Sequence, residues 1–246
     1  MDPVISDLNA SPLRRLLPGL LDADTPHQER ERIWDALQLW PSRQGVVLTL
    51  RERTPTGGLL HRLTDVDPDC VALVCGSEAV SIVPHCTSLR RFVQMTAGLR
   101  AGIGSTASVA DLHLSYARSR EALAFTDYGS PVSRAASYAE LGALTLLARV
   151  PREELRRLPD LAAITVLDEE ENGRAELEAL EALCRTGTLR NAAKLLHLHH
   201  SSIAKRIRNV ERALGYRLTD PLPKGSAYIA LLALRLLKSG VHSEET

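Results

Sequence analysis

Aromatic residues are scarce in this chain: two Trp, five Tyr and two Phe make up 4% of its 246 residues. Any core must therefore be built mainly from Leu, Ala, Val and Ile. Cysteine is sparse as well. Cys70, Cys75, Cys86 and Cys184 form no C-x-x-C pair, which argues against a disulfide framework, a zinc ribbon or a thioredoxin-like redox motif. Reduced, buried thiols are the simplest reading, and nothing supports a Cys70–Cys75 bridge. No apolar run approaches the roughly 18 residues of a membrane span. The best stretch, AYIALLALRLL, is interrupted by Arg235. The opening MDPVISDLNASPL lacks the basic and apolar regions of a secretory signal. A cytoplasmic protein without a membrane partner is expected. Net charge is zero, which excludes a uniformly basic nucleic-acid binder.

The charge is unevenly spread, however. From Arg185 to Arg217 there are eight Lys and Arg against one acid, Glu211. From Pro151 to Cys184 there are four basic and ten acidic residues. A neutral average thus hides a basic block behind an acidic one, a pattern that points to a nucleic-acid face. A solvated helix surface is the bland alternative.

At this length one large domain or two to three small ones are expected. TPHQERERIWDALQLW predicts a helix with Ile33, Leu37 and Trp40 on one side. GVVLTL predicts a strand, TGGLLHRLTDV a short helix, and CVALVCGSEAVSIVP a hairpin turning at Gly76-Ser77. TSLRRFVQMTAGL reads as a helix with Leu89, Phe92, Val93 and Leu99 inward. RAGIGS reads as a strand, and SVADLHLSYARSREALAFTDYG as a helix using Leu112, Tyr116, Ala122 and Phe125. This order predicts an α+β layer, a sheet with helices on one face. Beyond Ala135 the pattern is helical. SYAELGALTLLARV and PREELRRLPDLAAI read as short helices, LDEEENG as an acidic boundary, RLTDPLPKGS as a connector, and AYIALLALRLLKSG as a last apolar helix.

The most informative stretch is LRNAAKLLHLHHSSIAKRIRNVERALG, from Leu189 to Gly215. The preceding helix, Glu176 to Arg185, turns Leu177, Leu180 and Leu183/Cys184 inward and stops at Gly187. Leu189 to Leu196 forms a short second helix in which small Ala192 and Ala193 permit a close crossing. After a tight turn at His197-Leu198-His199, Ile203, Ile207, Val210 and Leu214 recur on one face of a third helix. Its opposite face carries Ser201, Ser202, Lys205, Arg208 and Arg212, with Arg206 on the flank. That is the layout of a helix-turn-helix. His197 suits a turn position of positive φ, where histidine is enriched. His199 and His200 then stand at the entrance of the recognition helix. Adjacent His199 and His200 diverge and no Cys or acid stands at ligand spacing, so a metal is not expected. No catalytic residue and no cofactor are expected either, since no carboxylate orients the His and Ser side chains.

GTLRNAAKLLHLHHSSIAKRIRNVERALGYRLTDP resembles the C-terminal, Fis-like helix-turn-helix of PucR/CdaR bacterial transcription regulators. Leu196-His197-Leu198-His199 matches that family's Leu-His-Val-His turn. Ile203, Arg206, Ile207, Arg208 and Glu211 match its helix, and Leu214-Gly215 and Asp220-Pro221 its ending. The chain departs at His200-Ser201-Ser202, where the family often has Arg-Asn-Thr. LVCGSEAVSIVP and RAGIGSTASVADLHLSYARSREALAF are similar to the GGDEF-like domain found upstream in the same family. Of the cyclase signature only Gly76 and Glu78 survive, and a cyclase needs carboxylates to hold Mg²⁺.

The resemblance implies a degenerate GGDEF-like α+β domain, catalytically silent, followed by an all-α helix-turn-helix domain. The expected divisions are a helical segment over 1–41, the GGDEF-like domain over 42–134, a helical connector over 135–173 and the DNA-binding domain over 174–246. The expected function is a DNA-binding transcription regulator, not an enzyme. Its expected partners are double-stranded DNA, a second copy of the chain and a small-molecule effector of unknown identity. The DNA-binding set is His199, His200, Ser201, Ser202, Lys205, Arg206, Arg208 and Arg212. The competing readings are a nucleotide-binding or cyclase enzyme and an interaction module whose basic helix meets an acidic protein. Gly102-Ile103-Gly104 reads as a strand-end turn in preference to a phosphate loop. Asp111 and His113 read as a solvated face, and Tyr228, Ile229, Leu232 and Leu236 as core or dimer interface.

Overall fold

The structure, a computed structural model, describes residues 15–53, 70–75, 78–83, 99–127 and 134–239. The helices expected at TGGLLHRLTDV and over most of TSLRRFVQMTAGL lie outside the described residues, as do Gly76 and Ser77. The chain is mixed α+β. It divides into two compact units, one reaching Thr145 and the other running from Leu146.

The first unit is organised around strand β1 (Gln44–Glu52). Its β-branched and apolar residues alternate sides, so each face of the sheet receives every second one. β1 pairs antiparallel with β3 (Glu78–Val83), which forms the predicted hairpin with β2 (Val71–Cys75). On its other edge β1 pairs antiparallel with β4 (Leu99–Ile103). The short strands β5 (Ala107–Ser108) and β6 (Ala135–Ser137) pair with β1 and β4 respectively. The sheet order is β2-β3-β1-β4-β6, with β5 alongside β1.

Helices α1 (Leu17–Leu21), α2 (His27–Ala36) and α3 (Leu112–Ala124) contribute to one core cluster, in which Leu17, Leu20, Trp34 and Leu112 meet Val47 and Ile82. The described helices of this unit lie on that one face, as expected, and burial extends to the other face as well. Val46, Leu48, Leu50, Ala101 and Ile103 form a second buried cluster on the opposite side. Nearly continuous burial along β1 is the signature of a strand enclosed on both faces.

Two placements differ from expectation. Leu99 opens β4 instead of facing inward from a helix. α2 stops at Ala36, so Trp40 is not on its face; it returns edge-to-face onto Trp34, with ring centroids 5.4 Å apart. Gly102 lies within β4, where a Cβ would stand 2.0 Å from the Ser119 carbonyl oxygen of α3. A Cβ on Gly104 would stand 2.1 Å from that of Ser115. This glycine pair lets a helix sit directly on the sheet. Ser115 Oγ accepts from the Val47 N–H at 3.0 Å, and Thr49 and Ser119 share a hydroxyl hydrogen bond of 2.6 Å.

Within 135–173, the segment read as a connector, the chain first forms β6, then α4 (Tyr138–Leu141), a 3₁₀ turn over Gly142–Arg149, α5 (Arg152–Arg156) and α6 (Leu161–Glu169). PREELRRLPDLAAI is two helices, because Pro159 restricts the residue before it. The second unit continues with α7 (Gly173–Thr186), α8 (Leu189–Leu195), α9 (His200–Leu214) and α10 (Pro221–Ser239). α6, α7, α9 and α10 pack around Ile164, Leu167, Leu180, Leu183, Val210, Leu231 and Leu232, all buried. PLPKGS, expected as a connector, is the first turns of α10. Pro221 at the first position and Pro223 beside it are tolerated because first-turn N–H groups have no partner within a helix.

Candidate nucleic-acid interface

Three consecutive helices, α7, α8 and α9, pack against one another around small and branched residues. α7 ends where Gly187 adopts φ +78, and its N–H donates to the Leu183 carbonyl at 2.8 Å. Glycine is the residue that enters this left-handed cap without a Cβ penalty. Thr188 then caps α8, its Oγ1 accepting from the Asn191 N–H at 3.2 Å. Ala192 and Ala193 are buried, and their small side chains allow α7 and α9 to close on α8.

The turn into α9 is built on His197, whose φ is +53. This is the conformation anticipated for it. The next N–H, of Leu198, donates to the Ala193 carbonyl at 2.9 Å and fixes the reversal. α9 then buries Ile203, Ile207 and Val210. Full burial of such side chains contributes about 1.5–3 kcal/mol each. Gly215, with φ +79, ends the helix. Glu211 secures that end: its carboxylate accepts from the Leu218 N–H at 2.8 Å and pairs with Arg217 at 3.2 Å.

His199, His200, Ser201, Ser202, Lys205, Arg208 and Arg212 are all exposed at the entrance or on the outer side of α9. No ion pair holds Lys205 or Arg208 among the described residues. Arg206 is set apart from the rest. It is half-buried, and its Nη1 lies 3.5 Å from the Ala175 carbonyl of α7. A cleft of about 310 Å³ opens between α7 and α9, lined by Asn172, Ala175, Glu176, Ser202, Lys205, Arg206 and Asn209.

Two residues of this surface were not legible beforehand. Glu176 is 5% exposed. Its Oε1 accepts from Asn209 Nδ2 at 2.5 Å, while Asn209 Oδ1 accepts from Arg212 at 3.0 Å. AELEALEAL reads in sequence as an acidic outer face, yet Glu176 and Glu181 are both buried.

Below the motif, Cys184 donates to the Lys224 carbonyl at 3.6 Å. Burial, offset in part by the nearby Lys224 and reinforced by Glu181, pushes its thiol up to about 12. Tyr216 and Ser226 both donate to Asp160, at 2.8 and 2.6 Å, tying the ends of α9 and α10 to the start of α6. In the first unit, Glu78 is engaged by Arg51 across the β1–β3 pair. Asp111 accepts from Ser108 at 2.9 Å. Among the described residues no three His, Cys, Asp or Glu side chains form a cluster able to hold a metal ion. No described helix is long and apolar enough to cross a membrane.

Residues 175–228 match the bacterial regulatory helix-turn-helix protein, lysR family. The matched span contains most of α7, all of α8 and α9, and the start of α10. No curated protein matches the chain. Among solved structures, the chain is similar to a regulator of polyketide synthase expression from Bifidobacterium adolescentis. That similarity has 18% identity over 95% of this chain and 97% of that one, with a TM-score of 0.37. The helix-turn-helix match supports a DNA-binding transcription regulator.

Proposed function

We propose that this chain is a transcription regulator of the PucR/CdaR type that lays α9 in the major groove of duplex DNA. One observation carries the reading: the exposed cations Lys205 and Arg208 stand opposite the buried stripe of Ile203, Ile207 and Val210 and have no carboxylate partner among the described residues. A helix about 10–12 Å across fits a groove about 12 Å wide. In this reading His199, His200, Ser201 and Ser202 approach base edges at the helix entrance. Lys205 reads bases, and Arg206, Arg208 and Arg212 anchor phosphates.

The domain division follows the same reading: a helical segment over 1–41, a GGDEF-like domain over 42–134, a connector over 135–173 and the DNA-binding domain over 174–246. The GGDEF-like domain is catalytically silent and senses an effector or mediates assembly. Engagement of Glu78 by Arg51 supports that silence, since this carboxylate already has a cationic partner. The protein works in the cytoplasm as a homodimer, because a single short recognition helix limits specificity and a two-fold pair doubles the contacts.

Selection of bound sequences from random duplex DNA tests the proposal. The expected result is a pair of related half-sites about 10–10.5 base pairs apart, or a multiple of that spacing. Absence of any enriched sequence contradicts it.

A further inference from the structure

We infer that Glu176 is a positioning residue for DNA binding, acting through Asn209 to hold Arg212 against the duplex backbone. The inference rests on the DNA-binding reading above and adds to it a residue that never touches DNA.

Three side chains form an ordered series from the interior outwards. Glu176 is buried on α7, Asn209 is half-buried on α9, and Arg212 is exposed one turn further along α9. Glu176 Oε1 accepts from Asn209 Nδ2, and Asn209 Oδ1 accepts from Arg212 Nη1. Only one amide orientation satisfies both neighbours, because a carboxylate only accepts and a guanidinium only donates. The buried acid therefore sets the direction of the amide, and the amide sets the position of the guanidinium. The hydrogen bond also ties α9 to α7 at one azimuth, which fixes the face that α9 presents.

The first turn of α7 favours an acid at Glu176 through the helix dipole, but by less than burying its carboxylate costs. Its second oxygen, Oε2, is buried and has no hydrogen-bond partner among the described residues. A buried carboxylate satisfied on one side is less favourable than an apolar residue of similar size. Leucines already occupy the neighbouring inward positions of α7, at Leu177 and Leu180. An acid here makes sense if its task is to orient something, and Asn209 is what it orients. Released from Asn209, the exposed guanidinium turns away from the duplex backbone, so the phosphate contact itself depends on the amide that Glu176 orients.

The test measures affinity for the selected DNA against salt concentration. The proteins are wild type, Arg212→Ala, Glu176→Leu, Glu176→Gln and the double variant Glu176→Leu/Arg212→Ala, with folding checked by circular dichroism. Each phosphate contact contributes about 0.9 to the slope of log K against log salt. Arg212→Ala is expected to flatten the slope by about one contact. Glu176→Leu is expected to match it, and the double variant to flatten it no further. Glu176→Gln keeps an acceptor for Asn209 and is expected to retain the wild-type slope, which a requirement for the negative charge would not give. If Glu176→Leu does not fold, Asn209→Ala is read in the same way.

A wild-type slope for Glu176→Leu overturns the inference, as do losses that add in the double variant, a Glu176→Gln protein as impaired as Glu176→Leu, or an Arg212→Ala protein with unchanged binding. All of these leave DNA binding itself standing. Failure of the wild-type protein to bind DNA instead removes the underlying reading.

Discussion

Arg235 of α10 grips Glu181 of α7 with both arms of its guanidinium, Nη2 to Oε2 at 2.6 Å and Nη1 to Oε1 at 3.1 Å. The two side chains are 8% and 2% exposed. This pair explains why an arginine interrupts the most apolar stretch of the sequence. A planar, two-pronged pair inside a helical core gives orientation more reliably than net stability. Glu181→Ala should therefore destabilise the helical unit by about 3–5 kcal/mol, because it takes the carboxylate away from a buried guanidinium. Replacing both partners, with Leu at 181 and Met at 235, should recover most of that loss. Urea denaturation of the single and double variants checks the prediction; equal losses in both would contradict it.

His197 holds φ +53 for a structural reason, to turn the chain between α8 and α9. His197→Gly should keep DNA binding and leave stability unchanged or raise it by up to about 1 kcal/mol. His197→Val, branched at Cβ, should lose about 1–2 kcal/mol. Thermal melts and binding isotherms measured together distinguish this role from one in DNA contact, where the glycine variant would bind poorly.

Cys184 carries a stability consequence at alkaline pH. Its thiol has a folded value of about 12, against 9.0 for the ordinary group, chiefly through burial. The unfolded chain releases this proton near pH 9 and the folded chain holds it to about 12. Above pH 9 the unfolded state binds fewer protons, so stability falls as pH rises towards 12. The melting temperature of the full chain should drop between pH 8.5 and 10.5. Cys184→Ala should shallow that drop, and an unchanged profile would show that the thiol is not its source. The same protonated state predicts slow alkylation of Cys184 in the folded protein.

Much of this architecture could be read from residue patterns alone. Ile203, Ile207 and Val210 announce the buried side of α9 by their period, and Gly187 and Gly215 mark the ends of α7 and α9. The β1 strand and the β2–β3 hairpin were legible for the same reason: short apolar runs bounded by turn residues. What escaped depends on neighbours far apart in sequence. β6 has three residues and exists only by pairing with β4. Leu99 opens a strand because Glu52 of β1 stands opposite it. PLPKGS looks like a breaker, yet prolines are compatible with a helix's first turn. Within the site, the outward row from Ser201 to Arg212 was visible. Glu176 was not, because an acid in a charged helix reads as solvated until the partner covering it is known.

The central claim is that Lys205 and Arg208 meet a duplex. The most direct test is the salt dependence of DNA binding by the double variant Lys205→Ala/Arg208→Ala. With Arg208 engaging one phosphate and Lys205 a base edge, the slope of log K against log salt should flatten by about 0.9 relative to wild type, with weaker binding at every salt concentration. A folded double variant that binds with the wild-type affinity and slope would contradict the claim.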